Sequence, residues 1–189
     1  EACEQFGRWS SAGCAPHHIA VNVSARQFRD PEFVSVVRDI IEETGMRPET
    51  LMLEITESVA MEQGEASVNK FTDLKKLGIK LALDDFGTGY SALSSLQLYP
   101  FDTLKIDRSF IVQSQSSSQG ALMLEAIIRM SEGLELETIA EGVEDVEQLN
   151  FLCALGCSLV QGYFYSRPVP ESKIGAMILS GFDSFDVIK

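Results

Sequence analysis

Several kinds of sequence feature are scarce in this chain of 189 residues, and each scarcity excludes a class of protein. No apolar run approaches the length of a membrane span, and the first residues lack a signal-peptide pattern. The four cysteines have no zinc-binding spacing, and the i,i+4 pair Cys153 and Cys157 at a helix end favours buried, reduced thiols there. Basic residues are few, 15 against 28 acidic ones, and the net charge of −13 argues against a broad nucleic-acid or anionic-membrane surface. We expect a cytoplasmic location for this region, with a membrane anchor left open for any part of the parent protein upstream.

The hydrophobic residues, 45% of the chain, support one domain over residues 1–189 and alternate between two periodicities. Six short apolar runs are predicted to be strands: 19–23, 51–55, 79–83, 103–106, 135–140 and 158–160. Helices are predicted over 1–9, 31–44, 68–77, 91–98, 121–132 and 146–155, and the Ser/Gln-rich stretch 113–119 is predicted to be a loop. This alternation predicts an α/β fold with a parallel sheet and helical crossovers. Periodicity alone leaves both a doubly wound sheet and a (β/α)8 barrel open.

Polar side chains stand near or just beyond the C-terminal end of every predicted strand. They are Asn22, Glu54, Glu57, Asp84, Asp85, Lys105, Asp107, Glu141 and Gln161. Any one of them alone is explained as a structural ion pair, but six successive strand ends are hard to explain as scattered salt bridges. In a parallel barrel the C-terminal strand ends open onto one face, so these groups would converge on one site.

The residue types at these strand ends indicate a chemistry. Asn22, Glu54, Asp84, Asp85 and Glu141 offer oxygen ligands and no thiolate or imidazole, which favours Mg²⁺ or Mn²⁺ over zinc. Four carboxylates packed together would repel one another, and two divalent ions would relieve that repulsion. Two-metal sites typically stabilise an in-line displacement at phosphorus. Lys105 is suited to holding the attacking water or offsetting phosphate charge. The glycine-rich DDFGTGY segment is neither a Rossmann fingerprint nor a Walker loop.

Six motifs in this sequence resemble those of the EAL phosphodiesterase family and occur in the family's order. They are NVSARQF from residue 22, LEITES from 53, DDFGTGYSAL from 84, LKIDRSF from 104, ETIAEGVE from 137 and QGYFYSRP from 161. The resemblance spans about residues 22–168. It implies a TIM-like (β/α)8 barrel that hydrolyses cyclic di-GMP (c-di-GMP) to the linear dinucleotide pGpG with two Mg²⁺ or Mn²⁺ ions. It also implies that Ca²⁺ occupies the site without supporting catalysis.

The family's metal ligands carry over onto matching positions of this sequence. Asn22, Glu54 and Asp84 match ligands of the first metal, and Asp84 also bridges to the second. Asp85 matches a ligand of the second metal. Glu141 matches a glutamate assigned either to the second metal or to general-base work.

Further positions match residues that support the reaction. Lys105 matches the lysine that holds the nucleophilic water, and Glu57 matches the glutamate that steadies the DDFGTGY loop. Gln161 matches a glutamine near the substrate and its water. Asp107 and Glu144 match supporting positions, where a substrate-binding and a structural role are both open.

The chain departs from the family pattern at its beginning. The Glu-Ala-Leu motif, whose glutamate ligates the first metal in the family, is absent from the sequence. Six predicted strands are also two fewer than a full barrel has. We therefore expect an EAL domain lacking its first strand or strands, with little or no hydrolysis by the chain alone.

Three functions are weighed against one another. The first is an active phosphodiesterase in the intact parent, since every visible ligand position holds a competent residue. The second is a non-catalytic c-di-GMP receptor, and the third is an enolase-like barrel with Lys105 as the base, which the adjacent Asp84 and Asp85 disfavour. The resemblance further implies a homodimer through residues 89–98 and an upstream sensor or GGDEF domain in the parent.

Overall fold

Strands and helices alternate along the chain, as a computed structural model of residues 1–62, 65–87, 96, 98–157 and 159–180 describes. The strands are β1 (Ile19–Asn22), β2 (Leu51–Thr56), β3 (Lys80–Phe86), β4 (Thr103–Ile106), β5 (Glu137–Glu141) and β6 (Leu159–Gln161). The helices are α1 (Ala2–Ser11), α2 (Ala25–Arg29), α3 (Phe33–Thr44), α4 (Glu57–Met61), α5 (Glu65–Lys76), α6 (Arg108–Ser116), α7 (Ser118–Gly133), α8 (Val146–Ala154) and α9 (Glu171–Ser180). A single 3₁₀ turn, Pro48–Thr50, precedes β2.

The six strands form one parallel sheet in the order β1-β2-β3-β4-β5-β6. Each strand pairs with the strand that follows it along the chain, so neighbours in sequence are neighbours in the sheet. Asn22 pairs with Glu54 at the end of β1 and β2, and Glu141 pairs with Gln161 at the end of β5 and β6. The parallel arrangement therefore brings the polar strand ends to one side, as the sequence predicted.

Side chains alternate across each strand, so the sheet has two different faces. The core beneath the helices takes one set of alternate residues, which includes Leu53, Ile55, Leu83, Leu104, Ile106 and Ala140. The residues between them, such as Glu54 and Lys105, project from the opposite face. Both charged side chains are nonetheless buried, and they contact each other. The sheet thus holds an apolar core on one face and a buried polar site on the other.

Polar side chains begin several of the helices by accepting hydrogen bonds from otherwise unpaired backbone N–H groups. The caps are Ser24 of α2, Asp107 of α6, Ser117 of α7 and Asp145 of α8. Ser24 and Gln27 complete a capping box, in which the Gln27 side chain also accepts from the Ser24 backbone. The longest of the described helices, α7, has 16 residues, and no helix in the described parts of the chain is long and apolar enough to cross a membrane.

The structure corrects several sequence-based boundaries. The loop predicted over 113–119 is wrong, because α6 continues to Ser116 and α7 begins at Ser118 with only Ser117 between them. Asp84 and Asp85 do not follow β3 but belong to it, because the strand continues to Phe86. A β-bulge lies between Leu83 and Phe86, where the register with β4 shifts. Strand β5 begins two residues later than predicted because Glu135 has a left-handed backbone, with φ of +59°. The predicted helix over 91–98 falls outside the described residues except for Leu96 and Leu98.

Asp102, which directly precedes β4, connects the N-terminal ends of β3, β4 and β5. Asp102 accepts hydrogen bonds from Lys75 Nζ at 2.7 Å on both oxygens, and its Oδ2 accepts from the backbone N–H of Leu81 at 2.8 Å. The Asp102 backbone bonds to Leu81 in β3 and to Glu137 in β5. This residue therefore fixes the start of β3 and β5 far from the polar strand ends.

Replacing Asp102 with alanine is expected to lower the free energy of unfolding by about 1–3 kcal/mol, because the buried Leu81 N–H loses its side-chain acceptor. Denaturant unfolding of the metal-free chain measures the change. Asp73→Ala is the matched control, since Asp73 makes an exposed pair with Lys76 and should cost less than about 1 kcal/mol. Equal losses in the two variants would contradict the role given to Asp102.

Candidate metal centre and active site

A buried lysine lies at the centre of the polar strand ends. Lys105 Nζ is 2.9 Å from Glu54 Oε1, 3.1 Å from Asp84 Oδ1 and 2.7 Å from Glu141 Oε1. The Lys105 side chain is only 4% exposed, and the three carboxylates are 8%, 12% and 19% exposed. Strands β2, β3, β4 and β5 each supply one of these four groups. The structure therefore brings together residues that are widely separated in sequence.

A bulge in β3 places two adjacent carboxylates on the same side of the sheet. The register with β4 shifts between Leu83 and Phe86, and Asp85 takes a left-handed backbone with φ of +55°. Without this bulge, strand alternation would send Asp84 and Asp85 to opposite faces. Carboxylate oxygens of Asp84, Asp85 and Glu141 instead lie within 4.8 Å of one another. We call Glu54, Asp84, Asp85, Glu141 and Lys105 the lysine–carboxylate cluster.

The electrostatics of this cluster fit a bound cation. Burial by itself would lower the pKa of Lys105, but hydrogen bonds to Glu141 and Glu54 hold that pKa above its ordinary value, so the lysine is charged. One lysine faces four carboxylates, which leaves an excess of negative charge in a partly buried space. Partial desolvation and the charges of Asp84 and Asp107 raise the pKa of Asp85. A divalent ion with oxygen ligands would relieve this repulsion.

Asn22 and Gln161 flank the cluster on the two outer strands of the described sheet. Asn22 is the register partner of Glu54, and Gln161 is the register partner of Glu141. Both residues are exposed, and the Gln161 backbone carbonyl accepts from Val143 N–H at 3.1 Å. Their positions beside the cluster agree with the sequence, and their roles as metal ligand and substrate contact stay predictions.

Glu57 and Asp107 also lie near the strand ends. Glu57 is the first residue of α4 and is buried, with 4% of its surface exposed. The 88–95 part of the loop that it is predicted to steady falls outside the described residues. Asp107 caps α6 by accepting from Ser109 N–H at 3.0 Å. Burial would raise the pKa of Asp107, but its hydrogen bonds with Ser109 hold the pKa below the ordinary value.

Two contacts beside the cluster were missed by the sequence reasoning. Phe110 of α6 packs on Gly87, which follows Asp85 by two residues, and the Arg108 side chain packs on Gly142, which follows Glu141. The LKIDRSF motif contains both side chains, and each glycine stands in a recognised motif. A glycine one or two residues after a carboxylate was the available signal, but the side chain that packs on it comes from a distant segment.

The fold and this site define a class: a parallel α/β protein of barrel type with carboxylates and a lysine at the C-terminal ends of its strands. The chain belongs to the EAL domain family, whose model matches residues 1–168. The expected TIM-like fold of the EAL type is thereby confirmed, with six strands forming an open half-barrel in the described residues.

Several known proteins are similar to the chain. The bifunctional diguanylate cyclase/cyclic di-GMP phosphodiesterase MucR of Pseudomonas aeruginosa is 40% identical over 178 residues, 94% of this chain and 26% of MucR. The solved c-di-GMP complex of the PaMucR phosphodiesterase has a TM-score of 0.86 at 40% identity, over 92% of this chain and 70% of that one. The EAL domain of Mycobacterium smegmatis DcpA has a TM-score of 0.89 at 37% identity, over 95% of this chain and 81% of that one. The chain spans about a quarter of the length of the curated relatives it matches.

Klebsiella pneumoniae BlrP1 has been solved with the cyclic dinucleotide and two different metals. Its manganese complex has a TM-score of 0.81 and its calcium complex 0.80, both at 29% identity over 90% of this chain and 43% of that one. A protein of this fold therefore binds divalent ions together with cyclic di-GMP.

Proposed function

We propose that this EAL domain belongs to a phosphodiesterase that hydrolyses c-di-GMP to linear pGpG with two divalent metal ions. The observation that carries the proposal is the lysine–carboxylate cluster, with Lys105 in contact with three carboxylates and Asp85 beside them. The PaMucR phosphodiesterase complex with c-di-GMP supports the choice of substrate. The BlrP1 complexes support divalent ions, and the oxygen-only donor set favours Mg²⁺ or Mn²⁺.

Five residues of the chain would hold the two ions. Asn22, Glu54 and Asp84 are proposed for the first ion, and Asp84, Asp85 and Glu141 for the second. When bound, divalent ions lower the pKa of a water molecule and neutralise charge on the phosphate oxygens. The burial of Glu54 and Asp84 strengthens these interactions, because the local dielectric is lower than that of water.

The chain's own side chains supply the remaining chemistry. Lys105 donates hydrogen bonds from Nζ to the attacking water or to a phosphate oxygen, and its raised pKa keeps it protonated. Glu141 accepts the proton that the water loses. The oxygen of that water bonds to phosphorus as the bond from phosphorus to the ribose 3′ oxygen breaks, and the proton held by Glu141 passes to the 3′ oxygen. Gln161 and Asp107 are proposed to orient the dinucleotide, and Glu57 to support the loop after β3.

The parent protein is proposed to be longer and to act as a dimer. A sensor or GGDEF domain upstream is in keeping with MucR, which is a diguanylate cyclase as well as a phosphodiesterase. Residues 89–98, the proposed dimer segment, lie outside the described residues apart from Leu96 and Leu98. We also propose that the 189-residue chain alone is nearly inactive, because the Glu-Ala-Leu glutamate is absent from its sequence.

The proposal predicts a specific pattern of metal dependence. A version of the protein extended upstream to include the Glu-Ala-Leu motif is expected to convert c-di-GMP to pGpG with Mg²⁺ or Mn²⁺ and to be inactive with Ca²⁺. The 189-residue chain is expected to show turnover near background with all three ions. Chromatography of the nucleotide products measures both, and an EDTA-treated sample is the control.

Two results would change the conclusion. If the extended protein binds c-di-GMP tightly but never cleaves it, the receptor function replaces the enzyme. If it neither binds nor cleaves c-di-GMP, the substrate assignment is wrong. Equal turnover with Ca²⁺ and Mn²⁺ would remove the proposed discrimination between metals.

A further inference from the structure

Two of the site carboxylates are followed by a glycine with a left-handed backbone. Asp85 precedes Gly87, whose φ is +90°, by two residues, and Glu141 directly precedes Gly142, whose φ is +71°. Residues with a β-carbon rarely adopt such angles. The turns that leave β3 and β5 beside the cluster therefore depend on glycine.

The first turn of α6 covers both of these glycines. A β-carbon on Gly87 would lie 2.5 Å from Cε2 of Phe110, and one on Gly142 would lie 2.5 Å from Cγ of Arg108. Nonbonded carbons prefer separations of about 3.5–4.0 Å. Each side chain therefore lies directly against the bare face of its glycine, and one helical turn contacts the backbone after two of the site carboxylates.

The first turn of α6 is itself held in place. Asp107 accepts from Ser109 N–H at 3.0 Å, and Phe110 N–H donates to the Asp107 carbonyl at 3.1 Å. The Arg108 guanidinium forms an ion pair with Glu144 at 2.9 Å. These contacts join the helix to the end of β4 and to the loop after β5. They therefore fix the position of Phe110.

The backbone two residues before Gly87 is under strain. Asp85 has φ of +55°, a region that costs a residue with a β-carbon roughly 1–2 kcal/mol. Such a conformation persists only where the surroundings hold it. Phe86 is buried in the core, and Gly87, although partly open to solvent, lies against the Phe110 ring. If Asp85 relaxed to an extended conformation, its carboxylate would leave Asp84.

We propose that Phe110, by packing on Gly87, is a positioning residue that holds the Asp85 carboxylate beside those of Asp84 and Glu141, where a second divalent ion would bind. The inference rests on the proposed function only in requiring that this cluster binds a divalent ion. Phe110 touches no substrate or metal in this scheme and acts through the backbone at Gly87.

Mn²⁺ binding by the 189-residue chain tests the proposal, measured by calorimetry and by electron paramagnetic resonance. Phe110→Ala is expected to weaken binding of Mn²⁺ by about 10- to 100-fold, the range typical of residues that orient metal ligands. Phe110→Leu should restore most of the affinity by keeping an apolar side chain over Gly87. Val112→Ala is the matched control, because Val112 is an exposed apolar residue of the same helix and should leave binding unchanged.

The outcomes separate this inference from the proposed function. A Phe110→Ala chain that unfolds at a lower temperature yet binds Mn²⁺ as the unmutated chain does would overturn the positioning role and leave only packing. Gly87→Ala gives a second test, because the added β-carbon displaces the Phe110 ring, and unchanged Mn²⁺ affinity there would also overturn it. An unmutated chain that binds no Mn²⁺ would instead count against the proposed metal centre itself.

Discussion

Replacing Lys105 with methionine is expected to lower the rate of c-di-GMP hydrolysis by the extended enzyme by about 10²–10³-fold or more, the loss seen when one charge-stabilising donor is removed from an active site. Lys105 Nζ lies within 3.1 Å of oxygens from Glu54, Asp84 and Glu141, so it occupies the place where a water and a phosphate oxygen would meet these groups. Methionine keeps the length and the apolar stem of the side chain and removes the charge. Steady-state kinetics with Mn²⁺ measure the effect.

The same substitution should also change stability in a way that depends on metal. In the metal-free protein, removal of the lysine leaves buried carboxylates without their partner, which costs about 3–5 kcal/mol in comparable buried pairs. A divalent ion can neutralise the same carboxylates. Mn²⁺ should therefore raise the unfolding temperature of Lys105→Met by more than it raises that of the unmutated chain.

Lys75→Met is the control for this experiment. Lys75 forms an ion pair with Asp102 at 2.7 Å. This pair lies at the N-terminal ends of the strands, whereas the cluster lies at their C-terminal ends. Its loss should lower stability equally with and without Mn²⁺. If Lys105→Met retained full turnover, Lys105 would have no role in catalysis. If Mn²⁺ stabilised Lys105→Met and Lys75→Met alike, Lys105 would not share its carboxylates with a metal.

The sheet was predictable from the sequence because its signals are local. Runs such as residues 19–23 are mostly apolar and β-branched, and each predicted strand is separated from the next by a predicted helical stretch, which favours parallel pairing. Parallel pairing then forces Asn22, Glu54, Lys105 and Glu141 to one end of the sheet. The location of the polar site at the C-terminal ends of the strands was therefore predictable from the strand positions alone.

The detailed geometry of the cluster was not predictable, because it depends on a bulge. Strict alternation along β3 would separate Asp84 from Asp85 by placing them on opposite faces. The register shift before Phe86 and the left-handed backbone of Asp85 bring them together. Neither feature has a local sequence signature, since aspartate is common in ordinary strand ends and turns.

The error at residues 113–119 has a different cause. Serine and glutamine are abundant there, and their composition favours a loop. In the structure Ser117 instead accepts from Gly120 N–H at 3.0 Å and caps the N-terminus of α7. The absence of a β-carbon on Gly120 lets α7 approach the Gln113 carbonyl of α6 closely, so tertiary packing decides the helix boundary.

Replacing Asp85 with asparagine is expected to abolish binding of the second metal ion while leaving the metal-free fold at least as stable as before. Asparagine tolerates the left-handed backbone found at this position, with φ of +55°. It removes a carboxylate whose pKa is raised by partial desolvation and by the charges of Asp84 and Asp107. Loss of that repulsion should therefore offset the loss of any other contact that Asp85 makes.

Asp84→Asn should behave differently from Asp85→Asn, although the two residues are adjacent in sequence. Asp84 Oδ1 is 3.1 Å from Lys105 Nζ, so this substitution removes one of the lysine's partners and also a ligand proposed for both ions. We expect Asp84→Asn to lose both Mn²⁺ ions and Asp85→Asn to lose one. Calorimetric titration with Mn²⁺ gives the number of ions bound, and thermal unfolding without metal gives the stability.

For Asp85, the sign of the stability change discriminates a functional carboxylate from a structural one. Asp73→Asn is the control, since Asp73 forms an exposed pair with Lys76 and should affect neither Mn²⁺ binding nor stability by much. A residue kept for metal binding destabilises the empty site through charge repulsion, so its removal should not weaken the metal-free fold. If Asp85→Asn instead unfolded more easily and bound Mn²⁺ with unchanged stoichiometry, Asp85 would be a structural residue of the bulge, and the second ion would have to be assigned to other ligands.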